Sequence, residues 1–140
     1  KEIFQNANIK LNIINGKINF NKTRLINDKI GSLTLKNSNL FFKNKNLTLN
    51  TDIFVDLKNI DALFFLLQTT KKSRKSIKSI QINLDYDFLT HQTTFNNIKI
   101  DNKKVNDEMY AIIKGFTFSK NNNWIKSKRI VNELFRNYEG

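Results

Sequence analysis

The sequence predicts a mainly β protein, a β-rich α+β chain built as a curved antiparallel meander with two helices. Three observations carry this. Across residues 9–58 and again across 80–100, apolar residues recur at nearly every second position, which places them on one face of a strand. Turn-forming clusters interrupt the rhythm at intervals of roughly ten residues, leaving no room for crossover helices between parallel strands. Around Asn59 and again after residue 121 the period changes from that of a strand to that of a helix.

The elements follow in order. Ile9, Leu11 and Ile13 alternate, and Asn15-Gly16 then makes a tight hairpin turn, because both residues tolerate positive φ. Ile18 and Phe20 resume the alternation, and the phase shift at Ile14 fits a bulge. Leu25 and Ile26 suit a short strand and Asn27-Asp28 a turn. Ile30, Leu33 and Leu35 form the next strand, and Asn37-Ser38-Asn39 reads as a turn before a short strand at 40–42. After Lys43-Asn44-Lys45-Asn46 comes the longest strand, 47–58. At about 3.3 Å per residue it reaches roughly 36 Å, so it is either one tall strand or bends midway.

Asn59 or Asp61 can cap a helix by accepting from its first free amides. The predicted helix runs over about 60–75, apolar all round at 62–67 and basic at its end, where cations favour the helix dipole. Ile80, Ile82, Leu84, Tyr86 and Phe88 return to period two, with Gln81, Asn83, Asp85 and Asp87 opposite. Residues 90–94 read as a turn, and Phe95, Ile98 and Ile100 as a strand of imperfect phase. A polar loop is expected over 101–107, and a helical turn then a strand over 109–118. The second helix, 122–138, is amphipathic: Ile130, Val131, Leu134, Phe135 and Tyr138 share a face, Asn122 or Asn123 caps it, and Arg129 can pair with Glu133.

The 140 residues suffice for one domain with a modest core. Strand rhythm begins within ten residues of Lys1, so the chain reads as a single segment, 1–140, of a longer protein. It has no run of about 18 apolar residues that would span a membrane as a helix. Without cysteine it has no disulfide framework or thiolate metal site, and the compartment stays open.

The net charge is +12. An anionic partner, nucleic acid or lipid headgroups, accounts for such a charge. So does AT-rich coding, which enriches Lys, Asn, Ile and Phe together. Most basic residues are dispersed, and only 71–78 is dense, fitting either an interfacial anchor or a solvated helix end. The aromatics fall on apolar faces and do not interleave with the cations as a base-stacking platform would.

Little points to chemistry. His91, the only histidine, lies in a Thr- and Gln-rich turn away from carboxylates. Asp85 and Asp87 share a strand face, an arrangement open to acid–base work and equally to an outward polar face. There is no phosphate loop, nucleophile elbow or zinc spacing. The chain is therefore expected not to be an enzyme and to need no cofactor or metal.

The segments Ile14-Asn15-Gly16-Lys17-Ile18-Asn19-Phe20, Lys29-Ile30-Gly31-Ser32-Leu33-Thr34-Leu35-Lys36-Asn37-Ser38-Asn39-Leu40, Leu66-Leu67-Gln68, Lys71-Lys72-Ser73-Arg74-Lys75 and Asn83-Leu84-Asp85-Tyr86-Asp87-Phe88 resemble the C-terminal regions of the AsmA-like family. The likeness covers about residues 9–101 and rests on strand rhythm, since the family has no invariant catalytic motif. That family is similar to bridge-like lipid-transfer proteins, whose antiparallel strands form an open groove with an apolar interior. Against that family's pattern, the sequence is expected to carry neither the N-terminal anchor nor most of the groove length.

The resemblance implies a phospholipid-transfer role between membranes in outer-membrane biogenesis, at the periplasmic face of a bacterial inner membrane. It implies phospholipid, a membrane surface, other segments of the same protein and envelope proteins as partners, and no nucleic acid. The implied groove lining is Leu33, Leu35, Leu47, Leu49, Ile53, Val55, Leu57, Ile80, Ile82, Leu84, Tyr86 and Phe88, with Lys71, Lys72, Arg74 and Lys75 at anionic headgroups. A structural β domain of the envelope, with its apolar face closed as a core, is the alternative, and a basic nucleic-acid-binding module the second.

Overall fold

The computed structural model describes residues 3–114 and 124–140. Its strands are β1 (Asn6–Asn8), β2 (Asn12–Ile14), β3 (Lys17–Asn19), β4 (Arg24–Asn27), β5 (Gly31–Lys43), β6 (Asn46–Leu57), β7 (Ser79–Asp87), β8 (Gln92–Ile100) and β9 (Lys103–Lys104). Seven of them form one open antiparallel sheet in the order β1-β4-β5-β6-β7-β8-β9, and β2 pairs with β3. Beyond β1 the order is sequential, the meander expected from the strand rhythm.

The two ladders β1–β4 and β2–β3 are stretches of one hairpin, folded at Asn15-Gly16 with φ of 50° and 72°. They separate at Lys10, whose N–H donates to the Thr23 hydroxyl and whose C=O accepts from it, at 3.0 and 3.2 Å. The expected strand at 9–13 is corrected accordingly. Ile9 and Leu11 fall in the break, and the irregularity lies there and not at Ile14.

β5 and β6 are long, 13 and 12 residues, and pair along most of their length. The turn expected at Asn37-Ser38-Asn39 is a bulge inside β5. The ladder opposes Lys36 to Asp52 and Asn39 to Asn50, so Asn37 and Ser38 together face Thr51. Asn37 takes φ 49°, a left-handed conformation that Asn tolerates in a bulge as readily as in a turn. The extra residue brings Leu40 and Phe42 onto the face of Leu33 and Leu35, opposite Leu49 and Leu47. The bulge also docks the hairpin: Phe20 N–H donates to Ser38 Oγ at 2.6 Å, and Ser38 N–H to Asn21 Oδ1 at 2.7 Å. A second bulge, at Asn96, explains the imperfect phase of β8, because Asn83 opposes Asn97 while Leu84 opposes Phe95.

Three helices complete the described residues: α1 (Ile60–Leu67), α2 (Asp107–Lys114) and α3 (Trp124–Asn137). Asn59 caps α1 as expected, accepting from Ala62 N–H at 3.2 Å. α1 stops at Leu67, not near residue 75. Gln68 turns left-handed at φ 56°, and its N–H closes on the Phe64 and Phe65 carbonyls. A single 3-10 turn, Lys71–Ser73, follows, and Arg74 is extended. The basic cluster therefore does not complement the α1 dipole. The helical turn expected from 109 is part of a longer helix, α2, and the loop expected over 101–107 contains β9. α2 begins at Asp107, where the Asn106 side chain accepts from Met109 N–H at 2.8 Å. Residues 115–118 of that expectation, and the caps Asn122 and Asn123 proposed for the last helix, lie outside the described residues. α3 buries Ile130 and Phe135 and, just beyond its end, Tyr138, the face expected from the sequence. Arg129 and Glu133 form no ion pair.

The core lies at one end of the sheet. Phe64 and Leu67 of α1, Met109 and Ile113 of α2, and Phe135 pack with Ile77, Ile98, Ile100 and Val105. Phe64 meets Phe135 edge to face, ring centres 5.3 Å apart.

Candidate apolar groove

Cross-strand register assembles the predicted lining into one surface. Leu33 opposes Val55, and Leu35 opposes Ile53. On the far side of β6, Val55 opposes Ile80, Ile53 opposes Ile82, and Leu49 opposes Tyr86. Opposed residues point to the same side, so these side chains are contiguous. Leu47 meets Phe42, and Leu57 lies beside Gly31. Gly31 takes φ +147°, and a Cβ there would lie 2.0 Å from the Asp56 carbonyl oxygen, so only glycine fits. Leu84 sits between Thr51 and Phe95. Thr51 is a polar residue within the strip. It is fully buried, and its hydroxyl donates to the Lys36 carbonyl beside the bulge at 3.2 Å. Phe88 follows β7, is 40% exposed, and stacks edge to face on Tyr86 at 5.0 Å.

Only part of this surface is covered. Leu57, Ile80 and Ile82 pack against the helix-bound core, together with Phe95, Ile98 and Ile100. Leu33, Leu35, Leu47, Leu49, Ile53, Val55, Leu84 and Tyr86 lie outside that core and remain half-buried. Sequence reasoning left Leu25, Leu40, Phe42 and Phe95 out of the lining. The register places Leu25 against Leu33, and the two bulges carry Leu40, Phe42 and Phe95 to the same side. The signal for Leu40 and Phe42 was the apolar run after the phase break in β5, and for Phe95 the lone apolar residue before the break in β8.

The opposite face bonds most of its own polar groups, with the buried Asn97 Oδ1 left without a partner among the described residues. Asn37 and Asn83 both donate to Asp52, each at 2.7 Å. Asn50 donates to Asp85 at 2.7 Å, Asn96 at 3.3 Å, and Lys43 forms an ion pair with it at 3.2 Å. Burial pushes the Asp85 carboxyl up, but these donors and the Lys43 charge outweigh it and hold the group below the ordinary carboxylate range. Asp87 caps the following turn, accepting from the Thr90 and Leu89 amides and from Asn46, and it too is held low, chiefly by the Thr90 hydrogen bond. The two carboxylates are thus engaged in strand and turn bonding. His91 lies in the same turn at φ 56°, its Nδ1 2.9 Å from the Tyr86 hydroxyl.

The four basic candidates do not converge. Lys71 and Lys72 are exposed on the 3-10 turn, and Lys75 is half-buried in the extended segment after it. Arg74 alone enters a cleft of about 830 Å³ at the α1 end of the sheet, where it is joined by Lys29, Ile30, Phe65 and Leu66. Its Nε donates to the Thr69 carbonyl at 3.2 Å, and its guanidinium lies 5.9 Å from the Phe64 ring centre. Phe65 is 82% exposed beside it.

No family model, curated protein or solved structure matches this chain. Its surface combines a largely apolar strip, a mostly hydrogen-bonded polar back and cations at one end. Such a surface gives non-directional apolar contact that scales with area. Among the described residues no helix is long and apolar enough to cross a membrane.

Proposed function

We propose that this chain lines part of a hydrophobic groove that carries phospholipid between membranes, as a segment of an AsmA-like envelope protein at the periplasmic face of a bacterial inner membrane. One observation carries the reading: among the described residues, no helix packs on the apolar face of β4–β6 short of Leu57. Exposed apolar area costs about 25 cal/mol per Å², so a strip of this extent favours an apolar occupant. Acyl chains supply one without asking for hydrogen bonds. Most amides and carboxylates of the polar face already bond one another. Arg74 and Lys29, at a cleft on the α1 end that also exposes Phe65, suit contact with an anionic membrane surface beside the groove.

A structural envelope domain is the second reading. The first hairpin favours it, because Ile9 and Ile13 are 72% and 68% exposed there and suit a protein neighbour.

Photo-crosslinking in cells, from residues 53 and 84 of the full-length protein, separates the two. Lipid adducts from these positions, and none from 52 or 85, are the expected result. Adducts solely to protein end the transport reading in favour of the structural one. Ile53→Asp is expected to abolish the lipid adduct from residue 84, since an unpaired charge among acyl chains costs several kcal/mol.

A further inference from the structure

We infer that the helix-covered part of the sheet holds a pocket for the methyl end of one fatty-acyl chain, so that the strip has a closed end on this segment. A cavity of about 250 Å³ lies between β7–β8 and the helices α2 and α3. Its lining is apolar throughout, with Ile82, Phe95, Ile98, Met109, Ile113 and Phe135 among the residues that form it. Protein interiors rarely leave voids larger than a water molecule. A trapped water needs about 2–4 polar partners, which these side chains do not offer, whereas an apolar cavity of ~150 Å³ takes up benzene. The volume therefore suits a hydrocarbon group.

Continuity with the open strip selects the shape of that group. Ile80 and Ile82 belong to both: they line the cavity, and they oppose Val55 and Ile53 on the strip. From the Leu49–Tyr86 pair to the Val55–Ile80 pair is six residues of β6, about 20 Å at ~3.3 Å per residue. A compact ring would fill the cavity and leave the strip bare. A single extended chain covers the strip and ends in the cavity, beneath α2 and α3. The occupant is thus an acyl chain lying along β6 and β7, its methyl end near Met109. This rests on the lipid-groove reading for the phospholipid as its source.

Met109 is the sole methionine and is 2% exposed, so a ¹³C-methyl methionine label yields one signal from inside the pocket. The 140-residue chain is loaded with phosphatidylcholine bearing a nitroxide near the methyl end or near the carbonyl of one chain, and in a separate arm with stearic acid bearing it near the methyl end. The expected result is near-complete loss of the Met109 signal with methyl-end phosphatidylcholine and little loss with the carbonyl-end probe. Ile113→Phe, which fills the cavity, is expected to restore the signal. If that variant loses its native circular dichroism, Val105→Leu at the same cavity takes its place. Broadening by stearic acid alone keeps the pocket and overturns the phospholipid source. Lipid adducts from residue 53 with an unmoved Met109 signal overturn the pocket and leave the groove. Neither adducts nor broadening overturns both.

Discussion

Asp85 ties three strands together through donors on β5, β6 and β8: Lys43, Asn50 and Asn96. Its carboxyl titrates lower folded than unfolded, because those donors bond the charged form. A lowered folded value means the stabilisation is complete above the unfolded value of about 4 and is lost as the pH falls through the folded one. Asp85→Asn is therefore expected to cost about 1 kcal/mol at neutral pH. Urea unfolding at pH 7 and at pH 3 checks this: the gap between wild type and variant shrinks on acidification, and a gap that widens refutes it. Lipid adducts from residue 53 stay unchanged, because Asp85 lies on the hydrated face.

At the scale of elements, the end of α1 is set by α3. The Asn132 amide donates to the Leu67 carbonyl at 2.8 Å, and its carbonyl oxygen accepts from the Thr69 hydroxyl. Thr69 is 3% exposed, so the pair closes a buried helix terminus. Asn132→Ala leaves both groups unsatisfied and is expected to cost about 1–3 kcal/mol. Asn59→Ala removes one cap at the exposed start of the same helix and is expected to cost about 1 kcal/mol. Chemical denaturation ranks the two. An Asn132 variant as stable as wild type would mean that α1 ends without help from α3.

For the whole molecule, the net charge of +12 is a surface property with one dense stretch. Lys71, Lys72 and Lys75 form it, while Arg74 is held by Thr69 and Phe64. A Lys near an anionic membrane contributes about 1 kcal/mol, so changing the three to Gln is expected to weaken binding to phosphatidylglycerol vesicles by up to roughly a hundredfold. Binding to phosphatidylcholine vesicles stays the same. Cosedimentation measures both, and an unchanged affinity for anionic vesicles makes the cluster a solvated surface. A nucleic-acid partner would instead bind with an affinity that falls steeply with salt.

The strand rhythm, the hairpin at Asn15-Gly16, the Asn59 cap and the buried face of α3 were legible in the residues themselves. Each depends on neighbours a few positions apart, where side-chain alternation, turn chemistry and helical spacing act. The meander followed, because turns this short allow only antiparallel neighbours. Asn37-Ser38 suits a turn and a bulge alike in sequence, because left-handed Asn serves both, and only pairing with Thr51 on β6 makes it a bulge. The end of α1 is not legible in the sequence, because Gln68 has no strong breaking tendency and a residue 64 positions later closes the helix. Alternation made one face of the sheet apolar. How much of that face lies under helices was decided by the tertiary structure, because covering it depends on where α2 and α3 pack, and hydrophobic contact carries no direction in the sequence.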